Sequence, residues 1–260
     1  MLGGLLACSP FACRSVVNKA AFNPDRRALA PNLLPQDVTE AFFQTSDGIQ
    51  LQSYFLKNQD SEKLVIYFHG NAGNLSHRIP DLQKLHQLGA SVLGVSYRGY
   101  GSSQGSPSET GIYKDGDAAF KYATEKLGNN EEDIYLFGRS LGTTVAIHTA
   151  QGKNIGGMIL VSPLTNAQEM GAAAGMGSFS VVAGSAFDNI GKVSNIQCPT
   201  LVIHGTADQV IPYSMGVRIH QGLNVPKKLV SLEGAGHNDL STDFQQQYWK
   251  PISGFLNQGI

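Results

Sequence analysis

The chain has 260 residues, 42% of them hydrophobic and only 15% charged against a usual ~25%, so it can bury a core of ordinary domain size and is not a disordered chain. Its 19 basic and 20 acidic residues leave a net charge of −1, which gives no field to favour nucleic acid or an anionic membrane surface. Three cysteines (Cys8, Cys13, Cys198), no C-x-x-C or H-E-x-x-H spacing and no apolar run of helix-spanning length argue against a disulfide framework, a metal centre, a cofactor motif and a transmembrane helix.

Residues 1–37 read as an N-terminal extension. Leu5-Leu6-Ala7-Cys8 resembles the lipobox of bacterial lipoproteins, whose cysteine is lipidated after cleavage. On that reading Cys8 anchors an exported protein at the cell envelope. On the other, two incidental cysteines lie in a frayed end of a cytoplasmic protein, since the seven residues before Cys8 carry no Lys or Arg. Residues 14–37, interrupted by Pro24, Pro31 and Pro35, read as an extended arm lying on the domain that follows.

The domain itself is expected over residues 38–260. Val38–Thr45 and Ile49–Leu56 flank Ser46-Asp47-Gly48 and predict an antiparallel hairpin. Apolar runs then recur at Leu64–Phe68, Ser91–Val95, Asp133–Phe137, Met158–Val161, Thr200–Ile203 and Lys228–Leu232. Helical periodicity separates them, at Leu82, Leu85 and Leu88, at Ile112–Leu127, at Leu141–Ala150 and at Met215–Leu223. Strand alternating with helix predicts a mainly parallel, doubly wound sheet, whose ligands gather beyond the carboxyl ends of the strands.

Those ends carry chemistry. Gly138-Arg139-Ser140-Leu141-Gly142 fits G-x-S-x-G between a strand and a helix, where a strained turn lifts a serine hydroxyl clear of the sheet. Gly101-Ser102-Ser103-Gln104-Gly105 fits the same pattern but lies in a loop followed by Pro107, so Ser140 is the expected nucleophile. A serine needs a base and a carboxylate to orient that base. Asp208 and His237 follow later strands in the order Ser, Asp, His, with Asp239 a nearby rival for the acid. Asp115, Asp117 and Asp188 do not follow a strand in that order. His69 and His204 end strands in His-Gly pairs and read as buried histidines bonded to loop backbone. For the developing oxyanion, backbone N–H donors are expected at Leu141 and at Asn71, with Ala72 as the alternative to Asn71.

Taken together, H-G-N-A-G-N at 69–74, Y-R-G-Y-G at 97–101, G-R-S-L-G at 138–142, C-P-T-L-V-I-H-G-T-A-D at 198–208 and G-A-G-H-N-D-L at 234–240 resemble the α/β-hydrolase superfamily. Within it the resemblance is to serine hydrolases related to the yeast Bem46 protein and its α/β-hydrolase-domain relatives, over roughly residues 38–257. It implies the α/β-hydrolase fold: a mostly parallel twisted sheet of about eight strands with an N-terminal antiparallel hairpin, helices on both faces and a small cap segment. It also implies Ser140 as nucleophile, Asp208 as acid, His237 as base, and esterase, lysophospholipase or thioesterase activity without a cofactor.

Relatives usually cover the pocket with a charged and aromatic segment after the strand ending at Ser162-Pro163. Here residues 171–188 are small, G-A-A-A-G-M-G-S-F-S-V-V-A-G-S-A-F-D, which predicts an open or mobile acyl pocket. The expected substrate is a small-molecule carboxylic ester or thioester of short to medium acyl chain, or a lysolipid, cleaved through an acyl-enzyme. Acyl transfer or peptide cleavage by the same three residues is the alternative, and a non-catalytic binding module on this fold is the third reading.

Overall fold

The computed structural model describes residues 10–177 and 183–260. Cys8 lies outside the described residues, as does the stretch 178–182 in the middle of the expected cap.

In chain order the elements are α1 (Pro10–Ala21), β1 (Asn23–Pro24), β2 (Thr39–Gln44), β3 (Gln50–Leu56), β4 (Leu64–Phe68), β5 (Ala72–Gly73), α2 (Ile79–Gln87), β6 (Ser91–Val95), α3 (Glu109–Glu125) and β7 (Ile134–Arg139). There follow α4 (Gly142–Ala150), β8 (Gly157–Val161), α5 (Ala167–Ala173), β9 (Thr200–Gly205), α6 (Tyr213–Gly222), β10 (Lys227–Leu232) and α7 (Gln245–Gln258). Eight strands form one sheet in the order β10-β9-β8-β7-β4-β6-β3-β2. Strands β2 and β3 make the antiparallel hairpin and β3 pairs antiparallel with β6, while every pairing from β6 through β4 to β10 is parallel. This is the α/β-hydrolase fold expected from the sequence. No helix among the described residues is long and apolar enough to cross a membrane.

The central strands are continuous apolar runs because both their faces are covered. All five residues of β4 are buried, with Leu64, Ile66 and Phe68 facing one core and Val65 and Tyr67 the other. The first core takes the buried stripes of α3 and α4 (Ile112, Ala119, Val145, Ala146); the second takes α2 and α7 (Leu82, Leu85, Trp249, Ile252). At the sheet's far edge β10 is mostly half-exposed and opens with Lys227 and Lys228, charges that discourage pairing with another strand.

Two segments depart from the sequence reading. The stretch read as an extended arm begins as a helix, α1, because Pro24, Pro31 and Pro35 all lie beyond its end and the preceding residues are free to coil. Its Val17, together with Phe22 just after it, is buried in the first core. Only past Ala21 does the chain extend, and there β1 pairs in parallel with β5, Asn23 opposite Ala72 and Pro24 opposite Gly73. The second departure is α7, hidden in the sequence by Pro251 in its interior; burial of Tyr248, Trp249, Ile252, Phe255 and Leu256 outweighs the hydrogen bond that proline removes.

The strand order places the crevice. From β4 the chain crosses through α2 to β6 on one side, then returns through α3 to β7 on the other. The carboxyl ends of β4 and β7 are therefore neighbours across a reversal of winding, with Phe68 in register with Gly138. That register lays the loop after β4 beside the turn after β7.

Candidate active site

Ser140 occupies that turn. Its φ is +53°, a left-handed conformation that costs a non-glycine residue about 1–3 kcal/mol and persists only where the surroundings enforce it. They do so from both sides. The Ser140 N–H donates to the Val161 carbonyl at 2.8 Å, and its carbonyl accepts from the Thr143 N–H at 2.9 Å and the Thr143 hydroxyl at 2.7 Å. The flanking glycines are demanded by contact: a Cβ on Gly142 would lie 2.0 Å from the Phe68 carbonyl oxygen, and one on Gly138 would lie 2.6 Å from the Gly142 oxygen.

His237 reaches Ser140 from the loop after β10. Its Nε2 is 3.2 Å from Ser140 Oγ and its Nδ1 is 2.7 Å from Asp208 Oδ2. The loop is held at several points. Gly234 turns with φ +75°, its N–H donating to Thr206 Oγ1 at 2.9 Å, and the Ala207 N–H donates to the Ala235 carbonyl at 2.9 Å. Asp239, the rival acid, bonds the Gly236 N–H at 3.1 Å and so supports the loop rather than the imidazole. The Arg139 guanidinium, one residue before the serine, donates to the His237 carbonyl at 3.0 Å.

The Asp208 side chain is buried and saturated with donors. Its Oδ1 accepts the N–H groups of Val210 and Ile211, both at 2.8 Å, and its Oδ2 faces His237 and also His204 Nε2 at 3.4 Å. Burial alone would raise its pKa; the hydrogen bonds from His204, His237 and the Ile211 N–H outweigh it and hold the carboxyl well below the usual range. His204 is a residue the sequence reading placed only against backbone. Its Nε2 does meet the Ile211 carbonyl at 2.9 Å, but the same atom stands behind Asp208, so the carboxylate is bracketed by two imidazoles. The ring fits because residue 216 is glycine: a Cβ there would lie 2.2 Å from His204 Nδ1.

On the other side of Ser140 lies the loop after β4. At Gly70 it runs beside the serine, where a Cβ would stand in ordinary contact, 3.5 Å from Ser140 Cβ. Asn71 and Leu141 border the same cavity as Ser140, and neither backbone N–H meets a protein acceptor among the described residues. Ala72 does not border it; its carbonyl accepts from Arg78 at 3.0 Å. Helix α4 starts at Gly142, so its positive end also faces this point. Two tyrosines of the Y-R-G-Y-G stretch hold the loop by its carbonyls, Tyr97 to His69 at 2.9 Å and Tyr100 to Asn71 at 2.7 Å. His69 is fully buried between their rings with Nδ1 2.6 Å from the Gly70 carbonyl, and burial drives its pKa down to about 3.

Other sequence candidates are engaged elsewhere. Ser103 is 3% exposed; its hydroxyl donates to the Ser96 carbonyl at 2.7 Å and accepts from the Gln52 N–H at 2.9 Å. Asp115 is paired with Arg98 at 2.8 Å, Asp117 faces His148 at 3.3 Å, and Asp188 accepts the Gly191 N–H at 3.0 Å. The cavity beside Ser140 holds about 170 Å³ and is otherwise apolar, bounded by Leu164, Ala167, Met170, Phe187 and Ile211, with Ala20 and Ala21 of α1. Sequence reading missed α1 here, since nothing in its composition points to a site.

A serine, an imidazole and a carboxylate in series, with two free N–H groups and an apolar cavity alongside, can activate a hydroxyl toward a carbonyl carbon and receive the oxyanion that results. A family model described as the alpha/beta hydrolase fold matches residues 63–185. Alpha/beta hydrolase domain-containing protein 17B of Xenopus tropicalis is 32% identical over 228 residues, which cover 86% of this chain and 77% of that protein. The human protein 17B is 31% identical over the same length and shares. Among solved structures, the Pyrococcus furiosus esterase Pf2001 superposes with a TM-score of 0.78 at 21% identity, covering 92% of this chain and 98% of that one.

Proposed function

The chain belongs to the α/β-hydrolase superfamily, and from that premise we propose that it is a serine hydrolase cleaving carboxylic esters or thioesters through an acyl-enzyme. One observation carries the proposal: Ser140 Oγ, His237 and Asp208 stand in an unbroken hydrogen-bonded series, 3.2 Å and 2.7 Å between successive partners, at the crevice where the winding reverses.

The steps follow from these groups. His237 Nε2 takes the Ser140 proton as Oγ bonds to the acyl carbon, and the charge gained by the ring is met by Asp208 at Nδ1. The oxyanion of the tetrahedral intermediate is received by the N–H groups of Asn71 and Leu141. The intermediate collapses as His237 returns the proton to the departing alcohol or thiol, leaving Ser140 acylated. Water then repeats the sequence, giving up a proton to His237 and bonding to the acyl carbon, and Ser140 leaves with that proton as the acid is released. The apolar cavity of about 170 Å³ supports an acyl group of short to medium length.

Fluorophosphonate labelling tests the assignment. Wild type and Ser103→Ala should be labelled and Ser140→Ala should not, with ester turnover in Ser140→Ala falling by at least about 10⁴-fold. Label retained by Ser140→Ala and lost from Ser103→Ala would overturn it. Across p-nitrophenyl esters of rising chain length, activity should peak at short to medium acyl groups; an optimum at palmitate would contradict the pocket assignment.

A further inference from the structure

Helix α1 precedes the doubly wound core in the chain, yet it supplies part of the cavity wall beside Ser140 through Ala20 and Ala21. Its seat is built from several independent contacts. Val17 is buried, and the ring of Phe22 meets Phe187, itself a wall residue, edge-on at 6.0 Å. Asn18 Oδ1 accepts the Glu109 N–H at 3.2 Å, while Glu109 Oε1 accepts the Phe187 N–H at 2.7 Å, so one carboxylate residue joins α1 to the wall. Beyond the helix, the Asn23 N–H donates to the Asn71 carbonyl at 3.2 Å and the Asp25 N–H to the Gly73 carbonyl at 3.0 Å. The segment therefore touches both the apolar wall and the loop that faces Ser140.

The two alanines matter because of what they leave empty. Ala21 is half-buried against the core, and Ala20 is exposed and stands at the rim. Of the remaining apolar wall, Leu164, Met170, Phe187, Val210 and Ile211 are already large and only Ala167 is small, so much of the open space lies on the α1 side, where two methyl groups leave it unfilled. A cavity close to 170 Å³ is small enough for one added isobutyl or benzyl group to occupy much of it.

We propose that Ala20 and Ala21 of the N-terminal helix set the length of the acyl group that the site accepts. The inference rests on the acyl-hydrolase reading above and deepens it, by assigning chain-length selection to a segment outside the core of the fold. Each methylene of an acyl chain that finds room against apolar wall raises kcat/KM by about fourfold, and the gain stops where the wall begins.

The test uses the full chain as wild type, Ala20→Phe and Ala21→Leu, assayed on p-nitrophenyl acetate, butanoate, hexanoate and octanoate. In both variants the octanoate-to-acetate ratio of kcat/KM should fall at least about tenfold from its wild-type value. A ratio unchanged in both, or acetate and octanoate falling together, overturns the inference. Should Ala21→Leu fail to fold, Ala20→Phe at the exposed rim decides. Calorimetric binding of decanoate to Ser140→Ala, with and without Ala20→Phe, reads the wall without chemistry: affinity should weaken at least about tenfold, and equal affinity, or no binding to Ser140→Ala at all, overturns the inference. Decanoate binding that responds to Ala20→Phe in a protein that takes no fluorophosphonate and turns over no ester would sink the hydrolase reading and leave this one standing.

Discussion

At the scale of single residues, the candidate site is organised by side chains that never touch the cavity. His204 is the clearest. Its Nε2 N–H donates to the Ile211 carbonyl at 2.9 Å and stands 3.4 Å from Asp208 Oδ2, so removing it leaves that buried carbonyl without its donor and takes a dipole away from the carboxylate that backs His237. His204→Phe should lower kcat on p-nitrophenyl butanoate about tenfold or more with KM little changed, and His204→Gln, which keeps an N–H, should recover part of it. Equal losses in both variants, or a change confined to thermal stability, would make the residue structural only. Tyr100→Phe should act the same way on the other flank, since its hydroxyl holds the Asn71 carbonyl at 2.7 Å: kcat falls severalfold and KM holds. Ser140, Asp208 and His237 were legible in the sequence because each follows an apolar strand run. His204, Tyr100 and Arg139 were not, because what they hold is distant in the chain or is backbone: Arg139 grips a carbonyl 98 residues away, and no residue type marks a carbonyl as a partner.

At the scale of elements, the junction of β7 and α4 is where packing is least forgiving. Gly142 faces the Phe68 backbone, which cannot rotate aside as a side chain could, so Gly142→Ala should destabilise by about 3 kcal/mol or more. For a chain of this size that corresponds to a fall in Tm of about 6–12 °C by differential scanning calorimetry, and an unchanged Tm would show that the strand and helix can part at no cost. Gly48, with nothing near its α-carbon but a φ of +80°, should instead show only the smaller conformational penalty on replacement by Ala, about 1 kcal/mol. The main strands were readable from composition, since a strand buried on both faces needs an unbroken apolar run. Helices α1 and α7 were not. The first is apolar at seven of its twelve positions but runs directly into the proline-interrupted stretch that follows, so it reads as part of that arm; the second carries a proline that local rules exclude from helix interiors, and only tertiary burial of its aromatic face overrides them.

For the molecule as a whole, burial of His69 couples stability to pH. Its pKa is about 3 in the folded state against 6.5 for the free side chain, so below pH 6.5 the unfolded chain binds a proton that the native state refuses. The contribution is complete above pH 6.5, declines by up to about 1.4 kcal/mol per pH unit below it, and is exhausted near pH 3. Asp208, whose carboxyl is depressed, adds a second loss only below its free-state value of 3.8. His69 should therefore contribute about 2.5 kcal/mol less stability at pH 4.5 than at pH 7, while Asp115, whose carboxyl burial pushes up to about 6, acts in the opposite sense; the difference between wild type and His69→Asn in urea denaturation at the two pH values isolates the histidine. The parallel pairing of Asn23–Pro24 with Ala72–Gly73 has a further consequence for how the molecule assembles. Helix α1 is synthesised ahead of everything it rests on, so it has no berth until the chain as far as Phe187 has been made. It can dock only after Glu109 and Phe187 have emerged, so the compartment beside Ser140 takes one of its walls from a segment made long before the serine itself.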